Sequence, residues 1–208
     1  MSGAPRDNGV RQFLSAMRVP AATRAAPWAG LAIGALSGAV YWLAVQLWPS
    51  SIAVMLSILA GALLTNQMLQ AAAASRLDVL SQVFYVLIKY NVLMALSAAI
   101  LPFAAPPNTA LWLIMICGYG AGRSLLVCVM SGRGARESAP LSHLDLVLAL
   151  LIGCAPAALL GLPGLIGLAA AVLSLIVWTR VARGGTALVT WIAELCFYLG
   201  AQASWSYV

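Results

Sequence analysis

Three ionisable side chains stand inside long apolar stretches of this sequence: Lys89, Arg123 and Glu194. A charge in a hydrocarbon environment costs several kcal/mol unless it is paired or hydrated, so each one is a functional hypothesis in itself. Two chemistries are open to them. They close on one another as internal ion pairs, Arg123 with Glu194 and Lys89 with Asp145 or a helix end, serving only to hold a bundle together. Alternatively, they line a cytoplasm-facing polar cavity in which the two cations receive an anionic group such as a phosphate.

Counted at about 1.5 Å per residue, Arg123 and Glu194 sit at matching depth, roughly 12 Å from one end of the fourth and seventh apolar stretches. Lys89 and Asn91 lie near the middle of the third and, being two residues apart, point in different directions. Arg76 and Asp78 open that third stretch, Asn66 lies with Gln67 near the end of the second, and Asp145 is one turn into the fifth. The phosphate-binding candidates are therefore Arg123, Lys89, Arg76, Asn66 and Asn91. The acidic or metal-binding candidates are Asp78, Asp145 and Glu194.

The elements that must position these groups follow from composition. Hydrophobic residues make up 63% of the chain, charged ones 8%, and the mean hydropathy is +0.98, far outside the range of soluble domains. A bilayer admits only helices or closed barrels, and long unbroken apolar runs exclude the barrel. Spans are expected at 27–48, 51–73, 77–101, 109–131, 141–161, 164–180 and 186–206, separated by Pro49, by the 102–108 stretch with Pro106 and Pro107, by the 132–140 segment, by Leu162-Pro163-Gly164 and by Gly184-Gly185. The expected fold is an all-α integral membrane bundle of about seven transmembrane helices. Residues 1–26 form a cytoplasmic or interfacial arm, and 27–208 a single transmembrane domain.

Charge gives the orientation. Arg6, Arg11, Arg18 and Arg24 precede the first helix, Arg76 follows the second, Arg133 and Arg136 follow the fourth, and Arg180 and Arg183 follow the sixth, while the intervening loops carry no Lys or Arg. By the positive-inside bias the amino terminus is cytoplasmic and the carboxyl terminus faces outward. The apolar run after the arm is too long and lacks a cleavage-like end for a secretory signal, so it reads as an uncleaved first helix. The net charge of +6 is spread over short loops without an aromatic platform, which argues against nucleic acid and for attraction to anionic lipid. Cys117, Cys128, Cys154 and Cys196 form no CxxC pair, His143 is the sole histidine, and neither a disulfide framework nor a zinc site is indicated. Gly118, Gly120 and Gly122 leave part of the fourth helix nearly bare just ahead of Arg123, which admits close helix packing or a ligand.

The order of features resembles the cobalamin synthase family, adenosylcobinamide-GDP ribazoletransferase. The residues that carry the likeness are Phe13-Leu14-Ser15-Ala16 with Arg18-Val19-Pro20, Gly30-Leu31-Ala32-Ile33-Gly34-Ala35-Leu36 leading to Tyr41-Trp42-Leu43, Ser75-Arg76-Leu77, Leu87-Ile88-Lys89-Tyr90, Gly120-Ala121-Gly122-Arg123-Ser124, and Arg180 to Gly185 with Thr186 and Glu194. The resemblance implies a bacterial inner-membrane protein of late vitamin B12 nucleotide-loop assembly. It further implies a nucleotide-activated corrinoid and an α-ribazole-type substrate at the cytoplasmic face, with Mg²⁺ as cofactor. Arg123 and Lys89 would hold phosphates, and the carboxylates any metal.

One departure stands out. Between its second and third helices the family carries a histidine and several aspartates in an Asp-Gly-Leu-Ala-Asp style repeat, which the resemblance assigns to magnesium and diphosphate chemistry. Here Leu64-Thr65-Asn66-Gln67-Met68-Leu69-Gln70 runs into Ala71-Ala72-Ala73-Ala74-Ser75 without a carboxylate, so the magnesium ligand set is incomplete. Three readings follow: an active transferase, with a partner subunit or second copy supplying ligands; a catalytically reduced binding or assembly subunit; and a small transporter.

Overall fold

The computed structural model describes residues 24–65, 76–100, 107–132, 142–181 and 186–205. Among them are seven helices and no strand: α1 (Ala26–Ala44), α2 (Ser50–Leu64), α3 (Arg76–Ile100), α4 (Pro107–Gly132), α5 (His143–Leu159), α6 (Leu162–Val181) and α7 (Thr186–Trp205). Three segments are long and apolar enough to cross a membrane by length and composition, Ala26–Ala44, Gln82–Ile100 and Ala110–Val129, and three shorter helices are also apolar.

The ends have local causes. α1 stops at Ala44, short of the expected residue 48, because Pro49 disfavours a helical conformation in the residue before it. The chain tightens instead into three-residue turns, with the Gln46 amide on the Leu43 carbonyl and the Leu47 amide on that of Ala44. α6 begins at Leu162 rather than 164, since Pro163 falls in a first turn whose amides need no intrahelical partner. Gly161, at φ +64°, supplies the left-handed residue that reverses the chain out of α5. α5 is capped by Ser142: its hydroxyl accepts from the Asp145 amide at 3.2 Å, and the Asp145 carboxylate accepts from the Ser142 amide at 3.0 Å. Ser142→Ala is expected to cost about 1 kcal/mol and to speed amide exchange in the first turn of α5. Unchanged exchange there would show the cap to be idle.

α4 is the hub, packed against α1, α3, α5, α6 and α7. Its closest approach is to α1, along a row of glycines one turn apart. A Cβ on Gly30 would lie 2.6 Å from the Tyr119 carbonyl oxygen, one on Gly34 2.6 Å from Ile116 Cα, and one on Gly38 2.8 Å from Trp112 Nε1. Gly30 and Gly34 thus let two backbones touch, Gly38 makes room for the Trp112 ring, and Trp112 fixes the register by donating to the Ala35 carbonyl at 3.0 Å.

These pairings fix the directions of the helices. α1 runs antiparallel to α4, and α4 antiparallel to α7, where Gly118 meets Tyr198 and Gly122 meets Thr190. α3 runs parallel to α7, as the contacts of Tyr85 with Trp191 and Lys89 with Glu194 require. Arg24, just ahead of α1, bridges Asp145 at the start of α5 at 2.8 Å. The starts of α1, α3, α5 and α7 therefore share one end of the bundle with the ends of α4 and α6. The outer surface carries Trp28, Leu43, Met55, Leu151, Leu173 and Val177, all exposed, large apolar side chains of the kind that a covering partner buries.

Candidate functional site

The sealed centre of the bundle is polar. Lys89 is 2% exposed, Arg123 1% and Glu194 1%, so in this conformation the three groups are filled in rather than lining an open cavity. α3 supplies Tyr85 and Lys89, α4 Tyr119 and Arg123, and α7 Trp191, Glu194 and Tyr198.

Lys89 and Glu194 form the ion pair, with Nζ donating to Oε1 at 2.5 Å. The ammonium also donates to the Tyr119 hydroxyl at 2.7 Å and the Tyr85 hydroxyl at 3.3 Å, which places an acceptor on each of its three N–H groups. It sits 4.0 Å from the Tyr119 ring centroid, within cation–π range. Glu194 is equally engaged: Oε1 accepts from the Tyr198 hydroxyl at 2.8 Å and Oε2 from the Tyr85 hydroxyl at 2.5 Å. Tyr85 in turn stacks on Trp191, with centroids 4.7 Å apart and planes 14° from parallel. A buried pair of this quality meets the condition under which Coulomb attraction repays desolvation, because good geometry is joined by hydrogen bonds to the remaining lone pairs and protons.

Arg123 belongs to the same centre. Its charge acts on Glu194, Tyr119 and Tyr85. Its stem lies against α1, where a Cβ on Gly30 would be 2.9 Å from Arg123 Cγ.

Of the residues expected from sequence, Lys89, Arg123 and Glu194 come together. The expected partner changes, however: Lys89 takes Glu194, while Asp145 stays at the end of the bundle with Arg24 and Ser142. Asn91 is exposed and its amide donates to the Leu87 carbonyl at 2.8 Å, so it faces away from the centre, as the two-residue offset from Lys89 dictates. Arg76 and Asp78 lie in the first turn of α3, with side chains outside the described residues, as is Asn66 altogether. Sequence reasoning passed over Tyr85, Tyr119, Tyr198 and Trp191. A signal was present, since Tyr85 precedes Lys89 and Tyr198 follows Glu194 by one helical turn, the spacing at which a phenol reaches a charge on its own helix.

Magnesium requires near-octahedral oxygen ligation. Among the described residues no three His, Cys, Asp or Glu side chains are grouped to hold a metal, and both Glu194 oxygens are already engaged. The described residues do not fit the ion.

The described residues together define a helical protein with an apolar exterior and with Lys89, Arg123 and Glu194 locked in its middle. Residues 9–69 match the family model for cobalamin-5-phosphate synthase. No curated protein and no solved structure matches it. The matched stretch includes α1 and α2, with Gly30, Ser37 and Gly61, and ends at Leu69. Lys89, Arg123 and Glu194 lie beyond it.

Proposed function

We propose that the chain is a seven-span protein of the bacterial inner membrane, with the arm 1–26 and the basic end of the bundle in the cytoplasm. In this reading it serves late cobalamin assembly as a binding or assembly subunit for a phosphate-bearing corrinoid or nucleotide, and does not by itself carry out the ribazole transfer. The observation that carries the reading is the closure of the charge network. Phosphoryl-group transfer needs charge neutralisation at the bridging oxygens, usually by metal held on carboxylates. Here the buried carboxylate is committed to Lys89, Tyr85 and Tyr198.

Sidedness is supported by the bundle's directions, which bring Arg24 and the start of α3, with Arg76, to the same end as the residues followed by Arg133 and by Arg183. The test uses the purified protein in detergent with adenosylcobinamide-GDP, α-ribazole phosphate and Mg²⁺. Corrinoid binding without GMP release is the expected outcome. GMP release at a catalytic rate would overturn it in favour of an active transferase completed by a second chain. Arg123→Ala is expected to weaken that binding more than Arg133→Ala, and equal tolerance of both would remove the buried centre from the ligand's path.

A further inference from the structure

We infer that Gly61, on α2, is a positioning residue of the polar centre: its missing side chain seats the Tyr119 hydroxyl and so holds Lys89 on Glu194. A Cβ built on Gly61 would overlap the Tyr119 hydroxyl oxygen outright, would come within 2.9 Å of Ser37 Oγ, and would lie 3.1 Å from Tyr119 Cζ. The phenol therefore ends in a notch shaped by two residues of the family-matched stretch, although none of the network's charges comes from that stretch.

The notch has little give. Tyr119 is buried, its hydroxyl is held by the Lys89 ammonium at 2.7 Å, and its ring lies 4.0 Å from that ammonium. A methyl group on residue 61 has to swing a rigid ring on α4, and the swing takes an acceptor and a π-face from Lys89 together. Ser37, on the other wall, is 1% exposed and cannot yield outward.

The sign of the effect is diagnostic. Alanine for glycine inside a helix normally stabilises, because it removes backbone freedom from the unfolded chain. Gly61→Ala is expected to do the reverse and lower the melting temperature by several degrees. With Tyr119→Phe already in place the loss shrinks but persists, since Cζ remains. With Tyr119→Leu in place, Gly61→Ala becomes neutral or stabilising.

A second readout separates positioning from mere packing. Lys89 is the chain's one lysine, so amine methylation with labelled formaldehyde reports on a single side chain beside the amino terminus. Lys89 is expected to resist labelling in the wild type and to label several-fold faster in Gly61→Ala at unchanged helix content. In the Tyr119→Leu background, labelling is expected to be the same with or without Gly61→Ala. The ligand of the bundle plays no part in these measurements, so they stand apart from the corrinoid assay. If Gly61→Ala fails to fold, the comparison within the Tyr119→Leu background still decides. Gly61→Ala melting at or above the wild type with Lys89 fully protected overturns the assignment, and so does equal destabilisation in both backgrounds.

Discussion

Glu194→Ala is expected to be the most damaging single substitution in the bundle, lowering stability by about 3–5 kcal/mol, the cost of leaving a buried charge without its partner. Against a typical total of about 5–15 kcal/mol, that is enough to deplete the folded protein. The loss has three parts: the Lys89 ammonium is left without its counter-charge, the Tyr85 and Tyr198 hydroxyls lose their acceptor, and Arg123 loses the nearby negative charge that it feels. A second substitution distinguishes these from a simple packing defect. Adding Lys89→Met to Glu194→Leu replaces the pair by apolar groups of similar volume, and such replacements are often neutral. Here only part of the stability is expected to return, because Arg123 and the two phenols remain. Thermal unfolding of the wild type, Lys89→Met, Glu194→Leu and the double variant in one detergent gives the cycle. Purely additive losses would mean that the two charges do not act as a pair.

Gly34→Leu is expected to have the next largest effect. The row Gly30, Gly34 and Gly38 brings α1 onto the hub helix, and a Cβ at the central position would meet Ile116 Cα at 2.6 Å and the Met115 carbonyl oxygen at 2.8 Å. Both are backbone atoms, so no rotamer change relieves the clash and the helices must part. Leucine has the better helix propensity by up to about 1 kcal/mol, but overpacking costs about 1–3 kcal/mol even where side chains can adjust, so the clash wins. The same separation would unseat Arg123, whose stem lies against Gly30. Leu36→Ala, on the exposed side of α1, is the control and should leave the melting temperature nearly unchanged. A Gly34→Leu protein that melts with the wild type would show that the two backbones are not in contact.

How far the sequence foretold this structure depends on the kind of information. The helices were legible because a membrane-length apolar run bounded by proline and glycine admits little else, and where the expected limits can be compared they differ by a few residues, with causes at Pro49 and Pro163. Depth was legible too, since it needs only a count along one helix: Arg123 and Glu194 were expected at one level, and they share the buried centre. Azimuth was not. Whether Glu194 faces Lys89 or Arg123 depends on how α3, α4 and α7 are rotated against one another, which the glycine contacts between helices decide. The choice of Asp145 as a partner for Lys89 failed for that reason, and also because a carboxylate three residues after a serine at a helix start has a local use as a cap.

The Lys89–Glu194 bond spans 105 residues of sequence. If the seven-span proposal holds, a chain inserted from its amino-terminal side carries Lys89 into the bilayer on α3 before Glu194 has been synthesised, and the pair forms only when α7 arrives. Until α7 is in place α3 holds a lysine without its carboxylate, and with α7 docked the same charge is paired and buried.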